Sequence, residues 1–82
     1  MSNLIERRNN MQISELLEKL KQTKEMYGEL PIYMSCINTT DVNYVCVCMN
    51  SYDKSYEIHL VDNLEEFEAK KNYLGFSHVI DF

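Results

Sequence analysis

Glycine, proline and tryptophan are scarce in this chain, which has two glycines, one proline and no tryptophan. So few glycines and prolines leave little room for long flexible linkers, and 82 residues are enough for one domain only. Both glycines fall where helices are predicted to end, so no glycine-rich loop is present to cradle a phosphate. We interpret residues 1–12 as a loosely ordered extension and residues 13–82 as a single domain.

The chain also lacks a long apolar run and an even set of cysteines. No stretch approaches the roughly 18 apolar residues of a transmembrane helix. The first ten residues have charges but no apolar segment behind them, so they do not form a secretory signal. Three cysteines are an odd number, which argues against a disulfide framework. These absences favour the reducing cytoplasm and predict no contact with a membrane.

Basic residues are too few for a nucleic-acid surface. The chain has 8 Lys and Arg against 13 Asp and Glu, a formal net charge of −5. Most of the acidic excess lies after residue 28, in the predicted strands and the C-terminal third. Proteins that bind nucleic acids meet the phosphate backbone with clustered Lys and Arg, so nucleic acid is not an expected partner.

Motifs of catalysis and cofactor binding are missing as well. The chain contains no GxGxxG, no GxxxxGK[ST], no HExxH and no EF-hand loop. Glu57 and His59 share one face of a predicted strand and could form an acid–base pair. Two solvated side chains on an open strand face are the simpler interpretation. The sequence therefore predicts a protein that is not an enzyme, with no catalytic residue, cofactor or metal.

A zinc site is the strongest metal-binding alternative, because three cysteines and one histidine lie on neighbouring predicted strands. Cys46 and Cys48, however, are two positions apart on one strand, which separates their Cα atoms by roughly 6.5–7 Å. Tetrahedral zinc needs sulfurs that are closer together. Reduced cysteines in the core are therefore the preferred interpretation. The acidic residues Glu65, Glu66 and Glu68 are similarly interpreted as a solvated helix face.

The clearest pattern is a helix followed by a strand in residues 13–33. Apolar residues recur at helical spacing, namely Ile13, Leu16, Leu17, Leu20 and Tyr27. Ser14 is the expected N-cap of this helix, and Gly28 is its expected left-handed C-cap. Pro31 then forbids a helix and suits the start of a strand over residues 30–36, preferably at a sheet edge.

Further strand patterns lie at residues 42–49 and 55–61, and residues 76–82 alternate as a fourth strand or a tail. A second helix lies between the last two segments, with Asn63 as its N-cap and Gly75 at its end. The predicted order is α-β-β-β-α-β. The sequence thus predicts an α+β fold, an antiparallel meander sheet packed with two helices.

Residues 42–49 differ from the other strands because both of their faces are apolar. Either a helix covers each face, or one face is left to a partner, most simply a second copy in a homodimer. The turn that follows is rich in polar groups and is a candidate recognition tip because it carries an exposed tyrosine. The candidate interaction residues are Tyr44, Val45, Val47, Met49, Tyr52, Asp53 and Lys54.

The segment ISELLEKLKQTKEMYGELPIY, residues 13–33, resembles the opening of many small phage and prophage proteins. Those proteins begin with a capped helix of the form SELIExLK, followed by a YGD-like turn and a strand. The matching residues are Ser14, Glu15, Leu16, Leu17, Leu20, Tyr27, Gly28, Pro31 and Tyr33. Glu29 stands where Asp is common. The resemblance covers about a quarter of the chain and carries over no catalytic residue.

The resemblance implies a bacteriophage or mobile-element origin, and hence the cytoplasm of a host cell. The expected function is that of a non-enzymatic accessory protein, which binds and inhibits or modulates a host or anti-phage defence component. Inhibitors of CRISPR–Cas systems are one such group. A first alternative is an oligomeric sponge for a nucleotide signal, with the tyrosines and Lys54, Lys70 or Lys71 as contacts. A second alternative is a structural accessory protein.

Overall fold

The structure is a computed structural model that describes residues 11–36 and 41–82. The described residues form two helices and four strands in the predicted order α-β-β-β-α-β, which confirms the α+β class. These elements are α1 (Ile13–Tyr27), β1 (Ile32–Met34), β2 (Tyr44–Asn50), β3 (Tyr56–Val61), α2 (Leu64–Leu74) and β4 (Phe76–Asp81). Most of the predicted extension, residues 1–10, lies outside the described residues. Neither described helix is long and apolar enough to cross a membrane.

The four strands form one mixed sheet in the order β1-β3-β2-β4. β2 is antiparallel to both of its neighbours, whereas β1 runs parallel to β3. The prediction of a wholly antiparallel meander is therefore wrong. A meander would place β1 beside β2, but β4 occupies that side of β2 and β1 lies at the far edge of β3. The central position gives β2, the most apolar strand, hydrogen-bonded neighbours on both sides.

The two helices lie on opposite faces of the sheet, so the domain has three layers. On the face of the sheet that α1 covers, Val45, Val47 and Ile58 are buried, and Leu16, Leu20 and Tyr27 pack against them. The α2 face buries Cys46, Cys48, Val61, Phe67 and Phe76. One helix therefore covers each face, which was one of the two arrangements allowed by the alternating apolar pattern of β2.

The ends of α1 differ in detail from those predicted. Its N-cap is Gln12 and not Ser14, and the Gln12 side chain makes no capping hydrogen bond. The backbone N–H of Leu16 instead donates to the Gln12 carbonyl over 2.9 Å. Gly28 ends the helix with φ 85° and ψ −161°, and its N–H donates to Lys24 O. This φ favours glycine, but the conformation is not the predicted left-handed helical one.

The ends of α2 are as predicted. Asn63 Oδ1 accepts a hydrogen bond from the N–H of Glu66 over 2.9 Å, which satisfies one unpaired amide of the first turn. Gly75 ends the helix in the left-handed conformation, with φ 95° and ψ 25°. β4 begins at the next residue, so α2 is held against the sheet at its C-terminal end. Phe67 is the buried residue of this helix.

Candidate functional site

The predicted interaction residues of β2 are largely inside the protein. Val45 and Val47 have no exposed surface, because α1 covers them. Tyr44 and Met49, near the ends of the strand, are half-buried. The expectation that this face is open to a partner is therefore corrected for Val45 and Val47, which are core residues. A homodimer through this sheet face would need Val45 and Val47 at the surface, where they do not lie. The oligomeric state itself stays a prediction.

The turn after β2 is exposed, as predicted. Tyr52 is 90% exposed, and Asp53 and Lys54 are also open to solvent. Hydrogen bonds within the turn hold its shape, since Asn50 Oδ1 accepts from the Tyr52 N–H over 2.8 Å. The Ser55 hydroxyl and N–H donate to Asp53 Oδ1, and these bonds lower the pKa of the Asp53 carboxyl. The turn lies beside the end of α2, because the N–H of Ser51 donates to the carbonyl of Gly75 over 2.9 Å.

Two of the three cysteines occupy the positions expected of core residues. Cys46 and Cys48 are free and completely buried, and burial is the main cause that raises the pKa of each thiol to about 12. Cys36 is half-buried, and burial also raises the pKa of its thiol. Thiols with raised pKa values stay protonated and are poor nucleophiles at neutral pH. Within residues 11–36 and 41–82, no group of His, Cys, Asp and Glu side chains could hold a metal ion.

Glu57 and His59 are buried, so the interpretation of two solvated side chains is wrong. Their side chains are 11% and 6% exposed, respectively. The prediction failed because β3 is an internal strand between β1 and β2, and α2 covers the face on which Glu57 and His59 lie. A polar residue on an internal, covered strand needs a hydrogen-bond partner.

Both side chains find partners in a chain of hydrogen bonds that begins at Ser35, which we name the Ser35 relay. Ser35 Oγ lies 2.6 Å from His59 Nδ1, and His59 Nε2 lies 2.9 Å from Glu57 Oε1. The second carboxylate oxygen, Glu57 Oε2, accepts from Asn50 Nδ2 over 3.2 Å. A carboxylate only accepts hydrogen bonds, so Nε2 carries the proton and donates to Glu57. Nδ1 is then free to accept from the Ser35 hydroxyl.

Aromatic rings enclose the imidazole of His59. Tyr33 stacks on it with ring centroids 5.3 Å apart, and Phe76 meets it edge-on at 4.4 Å. Phe67 lies 5.8 Å away on the same side of the sheet. Burial lowers the pKa of His59, although the hydrogen bond and charge of Glu57 act in the opposite direction. The ring is therefore neutral at pH 7 and has one nitrogen available as a base.

Stability is expected to depend on the protonation of His59. Because the folded pKa lies below the ordinary value of 6.5, the unfolded state binds more protons once the pH falls below 6.5. The contribution of His59 is fully present above that pH and is lost as the pH falls towards the folded pKa. Urea unfolding at pH 7.5 and pH 5.5 should show this loss in the wild type and a smaller one in His59→Asn. Equal losses in both proteins would assign the effect to other groups.

The edge of the sheet at β1 is apolar and open. Ile32, Tyr33 and Met34 are 50%, 48% and 62% exposed. The Pro31 carbonyl accepts from Ile58 N–H, and Ser35 N–H donates to Leu60 O, so these alternate residues face β3. The backbone groups of Ile32 and Met34 then point to the outer side of the strand. We name Ile32–Met34 the β1 edge.

One cavity borders the Ser35 relay, and another is lined by none of the relay residues. One has a volume of about 270 Å³ and is lined by Ser35, Cys36, Phe67, Leu74 and Phe76. We name it the Ser35 cavity; its walls are apolar except for the serine. The other, of about 550 Å³, lies between the starts of α1 and α2, with the polar residues Glu15, Lys19, Asn43, Asp62, Asn63, Glu65 and Asp81 among its lining. The Asn43 Oδ1 atom there is buried and has no hydrogen-bond partner in the described structure.

The fold and the site together define a three-layer α+β protein with an open sheet edge beside a buried Ser–His–Glu relay. Tyr33 links the two parts, because it belongs to the β1 edge and stacks on His59. Comparison of the chain with protein-family models, curated proteins and solved structures finds no match.

Proposed function

We propose that this protein acts by binding another protein along the β1 edge, where an extended segment of the partner adds a strand to the sheet. The observation that supports this is the exposure of large apolar side chains at all three positions of the edge. Sheet edges are usually protected by charge, by proline or by a bulge. Pro31 protects only the residue before the β1 edge, and Ile32–Met34 carry no charge.

Strand addition draws on two features of the β1 edge. The outward backbone groups of Ile32 and Met34 supply hydrogen bonds that do not depend on the partner's side chains. The side chains of the same residues, exposed on the α1 side of the sheet, supply apolar contact area. Tyr33 adds an aromatic contact on the other side, where tyrosine is favoured at interfaces.

Charge favours a different protein over a second copy as the occupant. Each chain carries a net charge of −5, so two copies repel one another at moderate salt, whereas a basic partner is attracted. The resemblance of residues 13–33 to phage proteins supports a partner in the bacterial host, either a host protein or a component of anti-phage defence. The proposed action is to inhibit or modulate that partner in the host cytoplasm by occupying one of its surfaces.

The nucleotide-sponge alternative has less support in the structure. Lys70 pairs with Glu66 over 3.4 Å, and Lys71 pairs with Glu68 over 3.5 Å. Both lysines therefore have carboxylates beside them that offset their attraction for a phosphate. Lys54, the third lysine proposed for the sponge, is exposed on the turn after β2.

Lysine at position 34 is expected to abolish partner binding, and lysine at position 26 is a matched control. Met34 is 62% exposed on the β1 edge, and Met26 is 66% exposed on α1. Each variant introduces the same charge at a similar exposure, so stability should change little in either one. The wild type and both variants would first be sized in solution and then used as bait in a bacterial lysate.

We expect the wild type and both variants to be monomers in solution. We also expect one specific bacterial protein to be retained by the wild type and by Met26→Lys, and to be lost with Met34→Lys. A wild-type dimer that Met34→Lys dissociates would overturn it in favour of a second copy as the occupant. Equal capture by both variants would show that the partner binds a surface other than the β1 edge. Repeated failure to retain any specific protein would also count against the proposal.

A further inference from the structure

The Ser35 relay places a hydroxyl, an imidazole and a carboxylate in the order used for nucleophilic catalysis. We propose that Ser35 is a nucleophile that hydrolyses small carboxylic esters with an apolar acyl group. This activity goes beyond the binding function proposed above, and it departs from the sequence prediction that the chain is not an enzyme. It rests on three observations: the hydrogen-bond geometry, the enclosure of the imidazole and the Ser35 cavity.

The hydrogen bonds assign a role to each side chain. His59 Nδ1, 2.6 Å from Ser35 Oγ, is the base that takes the hydroxyl proton. Glu57, 2.9 Å from Nε2, holds the ring in the required tautomer and stabilises the imidazolium that forms. Asn50 holds the other carboxylate oxygen and is a positioning residue. In the Ser–His–Asp triad of serine proteases, Nε2 is the base and Nδ1 faces the carboxylate. Here Nδ1 is the base and Nε2 faces Glu57, and either nitrogen can act as the base.

The relay is more than a device for satisfying a buried histidine, because one end of it opens into a cavity. Ser35 lines the Ser35 cavity, whereas His59 and Glu57 do not. The residue that carries the nucleophile therefore borders the cavity, while the base and the carboxylate are buried. Phe67, Leu74 and Phe76 form the apolar walls. At about 270 Å³ the cavity is at the small end of ligand sites, so a short acyl chain is the group that fits.

The reaction balances without a metal or a redox partner. Ser35 Oγ attacks the ester carbonyl carbon, a new C–O bond forms, and the hydroxyl proton passes to His59 Nδ1. The bond to the leaving alcohol breaks as His59 returns that proton to the departing oxygen. Water then attacks the acyl group on Ser35 with His59 again as the base. The products are a carboxylic acid and an alcohol, and Ser35 regains its proton.

A fluorophosphonate tests the nucleophile directly, because attack by a serine oxygen forms an O–P bond and releases fluoride. The full-length wild type should gain one phosphonate, located at Ser35 by peptide mass spectrometry. Ser35→Ala should gain none, while Ser77→Ala should react as the wild type does. Ser77 is a matched control because it is half-buried and lies beside a histidine, His78 Nδ1 at 3.3 Å.

Release of p-nitrophenol from p-nitrophenyl butyrate gives the second measurement. Removing the base or its carboxylate support should slow both labelling and ester hydrolysis, with Glu57→Gln slower by about 10-fold or more. Each variant would be checked by circular dichroism, since a folded Glu57→Gln protein separates slower chemistry from lost structure. Ser35→Ala is expected to retain partner capture, so this proposal and the proposed binding function can fail independently.

Three results would overturn the proposal. The first is a folded wild type that gains no phosphonate at Ser35. The second is labelling at Ser77 as fast as at Ser35, which would show unspecific reactivity. The third is labelling at Ser35 that Glu57→Gln leaves unchanged, which would leave the relay as a structural network. Labelling confined to Ser35 and slowed by Glu57→Gln, together with ester hydrolysis lost in Ser35→Ala, would establish it.

Discussion

Lysine at position 47 is expected to unfold the protein. Val47 lies in the central strand with no exposed surface, and α1 covers it. A lysine there would have to bury an unpaired ammonium group, which costs several kcal/mol even after relaxation. A domain of this size has a total stability on the order of 5–15 kcal/mol, so most of the folded population should be lost. Circular dichroism and urea unfolding of Val47→Lys would measure this loss.

Ile80→Lys is the matched control for that substitution. Ile80 is the residue directly opposite Val47 in the pairing of β2 with β4, so the two side chains share a sheet face. Ile80 is 41% exposed, however, and its lysine can reach water. We expect a change of about 1 kcal/mol or less in Ile80→Lys. A folded Val47→Lys protein that changed only its oligomeric state would contradict the core assignment and restore the predicted sheet-face dimer.

Local signals in the sequence predicted the elements of the fold correctly. Apolar spacing identified both helices, and alternation identified the faces of β2, because side-chain period follows directly from backbone geometry. Gly75 and Asn63 were placed correctly because their roles depend on the few residues beside them. The apolar content of both faces of β2 also indicated a covered strand, and the structure confirms a helix over each face.

Strand order could not be read in the same way. The position of β1 beside β3 depends on which edge of the sheet is left after β2 and β4 pair. That choice depends on the packing of the whole domain, so the residues Ile32–Met34 alone do not indicate it. The error had a consequence for the site, because a meander places β1 beside β2. His59 would then lack the contact with Tyr33 of β1.

The sequence indicated two of the three side chains that form the Ser–His–Glu part of the Ser35 relay. Glu57 and His59 stand two apart on one strand, a spacing that places both side chains on the same face. Ser35 lies 24 residues from His59 and becomes its neighbour only through the parallel pairing of β1 with β3. A serine near the end of the predicted first strand, two residues after an aromatic residue, is too common a pattern to indicate a nucleophile. Only the sheet order brings the third member to the pair.

Alanine at position 67 is expected to cause the second largest loss of stability, after Val47→Lys. Phe67 is fully buried, and its ring lies 5.8 Å from both His59 and Phe76. It is the main anchor of α2 on the sheet, because it is the buried residue of that helix. Loss of a buried phenylalanine side chain leaves a cavity and costs about 3–5 kcal/mol. Urea unfolding of Phe67→Ala would measure the change.

Tyr73→Ala provides the control, since Tyr73 is an aromatic residue of the same helix and is 91% exposed. Both substitutions remove a ring and introduce alanine into α2, so any effect on helix propensity is similar. We expect Tyr73→Ala to change stability by about 0.5 kcal/mol or less. Equal losses in the two variants would show that α2 is not anchored through Phe67. Phe67 would then not bury the His59 imidazole on that side. The burial that lowers the pKa of His59 and keeps the ring neutral beside Ser35 would be smaller.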